Sequence, residues 1–253
     1  MITMGLFDGM MNEMTARKAY KAHVTGNQLS EKGKPEEARA EHEKALTFYK
    51  QAIDAGVNKP VYLMAYGVLL LRFRRYEEAK ELFLKAEKSR EITKPERAQL
   101  RINFAICQWK LGNLDSAIEQ LKIAKDSNAS GTIYGSLGYI LIEKARQTGD
   151  FAEALAFNQE ALEYDDEDAV VLDNMGQLHL AMGDKEKALE YFTKAHEQKP
   201  AQVDTLYYLA LLASERGEKD QAREYLESAL TGNYSALCTT TREQAQELLA
   251  SIK

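Results

Sequence analysis

Residue types that carry covalent, metal or acid–base chemistry are few in this chain and poorly grouped. The four histidines, His23, His42, His179 and His196, have no cysteine or second histidine at metal-ligand spacing. Cys107 and Cys238 stand far apart, so they write no disulfide framework and suit a reducing compartment. The acidic run DDED at 165–168 offers carboxylates to a cation, but it lacks the alternating ligand spacing and the glycine of a calcium loop. Negative charge ahead of a helix N-terminus accounts for it more simply. The glycines recur at a fixed interval and so belong to turns and close packing, not to a phosphate cradle. With no nucleophile, metal or phosphate motif, the expectation is a chain without catalytic residues, metal or cofactor.

The elements that would position any site are short helices in pairs. In DAVVLDNMGQLHLAMGDKEKALEYFTKAHEQKP, residues 168–200, Leu172, Met175, Gly176 and His179 share one helical face. Gly183 ends that helix and Asp184 is placed to cap the next, whose inner stripe is Ala188, Phe192 and Ala195. Gly176 is expected to face Ala188 and Ala195 and to let the two axes approach. Ala154, Ala188 and Ala222 are 34 residues apart at each step, as are Gly149, Gly183 and Gly217. Two markers with one period define a repeat. The second-helix pattern also recurs at Ala45, Ala79 and Ala117, at steps of 34 and 38, with 37 more to Ala154.

This period and the series Leu172, Gly176, Ala188, Phe192, Ala195, Pro200 resemble the tetratricopeptide repeat. The resemblance implies an all-α solenoid of about six helix–turn–helix repeats in a right-handed superhelix, and a protein-interaction surface on it. The expected organisation is a Met-rich segment at 1–15, an array at 16–231 and a C-terminal capping helix at 232–253. In the first segment Phe7, Met10, Met11 and Met14 form a helical stripe that either caps the array or plugs its groove. The first repeat has a lengthened second helix with two possible inner stripes, Ala38–His42–Ala45 and Ala45–Tyr49–Ala52, and His42 is expected to be partly buried or at the surface. In the third repeat Phe104 with Ala105 and Leu100 with Cys107 suggest competing registers. Asp150 with Glu153, and Thr240 with Glu243, have the spacing of capping boxes. At the C-terminus Ala245, Leu248, Leu249 and Ile252 form one apolar stripe, as a solenoid end requires.

Composition narrows the partners. The chain is 45% apolar and 28% charged with net charge −6, which suits a folded protein and favours neither nucleic acid nor an anionic membrane. The densest basic run is Arg72, Arg74 and Arg75. No stretch of about 20 apolar residues spans a membrane, and no basic start leads into an apolar run. Met4-Gly5 does not fit an acylation motif, because Gly9 stands where Ser or Thr is needed. A cytoplasmic location is the expectation.

In the tetratricopeptide family the first-helix face beside the packed one lines the concave surface. That position holds Val68 and Leu71 in the second repeat, and Ile102, Asn103, Ile106 and Trp109 in the third. Tyr139 follows in the fourth, Asn174 in the fifth, and Tyr207 and Tyr208 in the sixth. Apolar pockets there would take a protein or peptide segment, with Asn103 and Asn174 gripping its backbone through their amides. One branch of the family binds a C-terminal carboxylate with two Lys, two Asn and an Arg. Those places here hold His23, Asn27, Ala65, Gln99 and Asn103, so only Asn27 matches and that ligand is disfavoured. Two rivals to the scaffold reading are a self-assembling structural protein, with self-association through end helices or groove, and a ligand or peptide sensor domain without its output module.

Overall fold

The computed structural model describes residues 6–252, with side chains from Asp8 onward. Phe7 of the Met-rich stripe and the Met4-Gly5 pair therefore lie outside the described side chains. Thirteen helices and no strands form among the described residues, in two compact units divided after Gly112.

The first unit holds α1 (Leu6–Glu31), α2 (Pro35–Asp54), α3 (Pro60–Arg72), α4 (Tyr76–Glu87) and α5 (Lys94–Lys110). α1 pairs with α2 and α3 with α4, while α5 packs on both α3 and α4. Residues 8–15 continue α1 without a break, and Met10, Met11 and Met14 are exposed on it. Both stripes of the long α2 are used: Ala38, His42, Ala45, Tyr49 and Ala52 are all buried. His42 is therefore an interior residue, at the deeper end of the partly buried or surface placement expected of it. Gly26 leaves the space its ring fills, and its Nε2 donates to Asn27 Oδ1 at 3.0 Å. In α5, Leu100, Ala105 and Cys107 are buried together and Phe104 is half-buried. Gly112 follows Ala105 by the same seven residues that separate Gly183 from Gly176, which fixes Ala105 as the small marker of that repeat. A Thr93–Glu96 capping box starts α5, and the Cys107 thiol donates to Tyr76 O at 3.2 Å.

The second unit holds α6 (Leu114–Ser127), α7 (Gly131–Thr148), α8 (Ala152–Tyr164), α9 (Ala169–Ala181), α10 (Lys185–Gln198), α11 (Val203–Glu215), α12 (Lys219–Thr231) and α13 (Arg242–Ser251). Pairs α7/α8, α9/α10 and α11/α12 stack in order, with α6 on α7 and α13 on α12. α13 joins a core of Ala210, Ala213, Ala222, Leu226, Ala245 and Ile252, with Leu248 and Leu249 partly buried against it. Asp168 of the acidic run caps α9, accepting from the N–H groups of Val170 and Val171, and Asp184 caps α10.

Three local expectations change. Gly176 meets the Phe192 ring first, because the ring lies between Ala188 and Ala195 on the same stripe. Asp150 and Glu153 make no capping box: Phe151 is the N-cap of α8, Asp150 accepts from Ala152 N–H at 3.0 Å, and Glu153 pairs with Lys122 at 2.8 Å. The box before α13 is Thr241 with Gln244, one residue later than the Thr240–Glu243 spacing suggested.

Candidate partner-binding faces

The first-helix residues singled out in the sequence fall into two groups, one in each unit. In the first unit Val68 and Leu71 stand on α3, with Ile102, Asn103, Ile106 and Trp109 on the adjoining α5. Leu71, Asn103 and Ile106 are buried, whereas Val68, Ile102 and Trp109 are half-buried. Lys110 Nζ lies 3.5 Å from the centre of the Trp109 ring, within cation–π range. Asn103 accepts a hydrogen bond from Gln99 Nε2 at 3.2 Å. The same helical face continues through Tyr20 and Val24 of α1 and Val61 of α3, which remain 44%, 38% and 42% exposed. Beneath it His23 and His42 meet edge to face at 5.7 Å, and Tyr49 stacks on Tyr66 at 5.4 Å. Burial pushes both imidazoles down to about 4; the neighbouring His42 adds to the effect on His23, and Arg72 adds to it on both.

In the second unit Tyr139 stands on α7, Asn174 on α9, and Tyr207 and Tyr208 on α11. Asn174 is only 1% exposed, and its amide nitrogen donates to Gly135 O at 2.8 Å. That donor ties α9 to α7 and is already engaged by the fold. Tyr208 stacks on Phe192 at 5.1 Å and meets Tyr207 edge to face at 5.3 Å. Burial raises the phenol pKa values of Tyr139 and Tyr208, with Glu143 and Tyr208 adding to the effect on Tyr139. Arg146 and Glu143 pair beside these rings.

A polar cluster that sequence reasoning did not assemble lies on α9 and α11. Asp173 is 3% exposed and accepts from Thr205 Oγ1 at 2.7 Å and from Gln177 Nε2 at 2.6 Å. Burial, followed by the nearby Asp204 carboxylate, raises its carboxyl to about 7. Asp204 in turn accepts on Oδ1 from the N–H groups of Thr239 and Thr240, at 3.0 and 2.8 Å, and from the Thr240 hydroxyl at 2.6 Å. The signal available in the sequence was the length of the segment that carries these threonines. The α12–α13 connection has ten residues, against four each for α8–α9 and α10–α11.

Such faces offer apolar contact, ring faces and hydrogen-bond acceptors. Among the described residues no group of three or more His, Cys, Asp or Glu is placed to hold a metal ion, and no helix is long and apolar enough to cross a membrane.

Residues 64–132 and 179–233 each match a profile described as tetratricopeptide repeat. The photosystem I assembly protein Ycf3 of Cuscuta gronovii is 34% identical over 116 residues, which cover 38% of this chain and 69% of that protein. The chain belongs to the tetratricopeptide-repeat family. It spans about half the length of other curated relatives it matches: Ycf3 of Rippkaea orientalis (strain PCC 8801 / RF-1) is 34% identical over 91 residues, 34% of this chain and 53% of that protein. A thermophilic tetratricopeptide protein of Thermus thermophilus shares the fold at 21% identity, with a TM-score of 0.62 over 76% of this chain and 97% of that one. As tetratricopeptide repeats, the pairs α1/α2, α3/α4, α7/α8, α9/α10 and α11/α12 each bring a small first-helix residue against the second helix, and α5 and α6 supply one helix to each unit.

Proposed function

We propose that this protein is a non-enzymatic scaffold of a reducing, cytoplasmic setting, and that the concave first-helix faces of its repeats bind a segment of a partner protein. The observation that carries this reading is the exposure of Tyr20, Val24 and Val61, together with the half-buried Ile102 and Trp109. These positions are not needed to pair helices, yet they are apolar or aromatic, as the centre of a binding patch is. The relatives named as assembly proteins support the same class of role, holding another chain while a larger complex forms.

The test is a selection of peptides from a displayed library against the whole chain, followed by affinity measurement with single variants. Trp109→Ala is expected to weaken the selected peptides by about 2 kcal/mol while the helical signal holds. Equal binding by the variant would remove Trp109 from the site. Exposed Met10, Met11 and Met14 favour self-association as the second reading. Light scattering across a concentration series separates the two, since only self-association raises the mass of the chain alone.

A further inference from the structure

The ten-residue connection at 232–241 does more than join two helices. α13 packs on α12, yet Thr239 Oγ1 accepts from Gln177 Nε2 of α9 at 3.2 Å, so the segment reaches across α11 to the repeat before it. On α11 itself, Asp204 Oδ1 gathers two consecutive backbone N–H groups and one hydroxyl from Thr239 and Thr240. Charge-assisted bonds of this kind are short and roughly twice as strong as neutral ones, in keeping with the 2.6 Å from the Thr240 hydroxyl. The segment is also pinned at its ends. Arg242 donates to the carbonyls of Leu230 and Gly232 and lies over the Tyr234 ring, and Ser235 N–H donates to Cys238 Sγ at 3.2 Å. Neither anchor on the repeats is a helix cap: Gln177 is fully buried and Asp204 half-buried. Asp204 and Gln177 occupy the first-helix face where a partner's backbone would run.

We infer that Asp204 and Gln177 form a subsite for an extended protein segment that presents a serine or threonine hydroxyl with two consecutive N–H groups, and that Thr239 and Thr240 fill this subsite from within the chain. An incoming segment must then displace the 232–241 strap. The inference rests on the second unit's first-helix face being a partner-binding face. Asp204 and Gln177, which make the contacts to Thr239 and Thr240, set the chemistry of the ligand. Asp204 accepts the N–H and O–H donors and repels a phosphorylated hydroxyl through like charge, and Gln177 Nε2 donates to a hydroxyl oxygen.

Two measurements test it on the full chain. Amide hydrogen exchange of Thr239 and Thr240 is expected to be at least tenfold slower than in an unstructured peptide, and to lose that protection in Asp204→Ala while the α9 and α11 amides keep theirs. Unprotected amides in the native chain would show that the strap is not closed and would overturn the inference. A synthetic peptide of residues 233–242 is then added in trans. It is expected to bind Thr240→Pro, which lacks both the N–H and the hydroxyl of residue 240, at least tenfold more tightly than the native chain. The gain is lost when Asp204→Ala is added, and lost also when the peptide is phosphorylated at the residue matching Thr240. Thr240→Val keeps the N–H and is expected to fall between, which covers the case of a misfolded proline variant. Equal binding to native and variant chains, or binding to none, overturns the inference. Neither measurement involves Trp109, so their failure leaves the partner face of the first unit standing.

Discussion

At the scale of single side chains, the paired helices meet where a glycine faces a ring. A Cβ added to Gly67 would stand 2.4 Å from Phe83 Cε1, and one added to Gly176 would stand 2.6 Å from Phe192 Cδ1. Both rings are at most 1% exposed, so neither can swing into open space. Gly67→Ala is therefore expected to destabilise the first unit by roughly 1–3 kcal/mol through overpacking. Urea unfolding followed by Trp109 fluorescence reads this directly, and an unchanged midpoint would mean that the Phe83 ring has room to yield. The fourth repeat solves the same contact differently: Asn158 takes the ring position, and its amide nitrogen donates to Gly138 O at 3.2 Å and Ala154 O at 2.8 Å. Helical spacing identifies the faces on which Gly176, Phe192 and Ala188 lie. It does not identify which residue each one meets, because the depth of contact depends on how two helices cross, and one helix's own period does not contain that angle.

At the scale of elements, turns and caps decide where each helix stops. Gly112, Gly149, Gly183 and Gly217 close their first helices with φ between 78° and 85°, a left-handed conformation that glycine adopts without strain. Between α3 and α4 the same place is held by Arg74 at φ 58°, which is costly for a residue with a Cβ. Arg74→Gly is expected to stabilise the first unit by about 0.5–1 kcal/mol despite the added freedom of the unfolded chain. A rise in the urea midpoint checks it, and a fall would show that the arginine side chain contributes more than its backbone costs. Capping is legible only in part. Thr240 with Glu243 and Thr241 with Gln244 offer the same motif one residue apart, and local sequence cannot choose between them. The choice is made by Asp204, 36 residues from Thr240, which takes up the Thr240 hydroxyl and leaves Thr241 to cap α13. The amide donor of Asn174 escapes a reading of its own helix for the same kind of reason, since its partner, Gly135 O, is supplied by another repeat. Periodicity exposes what repeats share, and the candidate site depends on what each repeat does not.

At the scale of the whole molecule, the two units respond to pH with opposite sign. In the first, His23 and His42 are held neutral, their imidazoles pushed down to about 4 from an ordinary 6.5. Between those values the unfolded chain binds more protons than the folded one, so stability is complete above about 6.5 and declines as pH falls toward 4. In the second unit the Asp173 carboxyl is raised to about 7 from an ordinary 3.8. Here the folded state holds the proton that the unfolded state releases, so this contribution is complete below about 3.8 and is lost as pH rises through 7. The only tryptophan, Trp109, lies in the first unit and serves as its reporter. Its fluorescence melt is expected to shift down on going from pH 7 to 5, and His42→Gln should flatten that slope. Over the same interval hydrogen exchange corrected for intrinsic rate should slow in α9 and α11, and Asp173→Asn should abolish the change by fixing the group in an uncharged form. A common direction in both units would show that the surface carboxylates, and not these three buried groups, govern how the protein responds to acid.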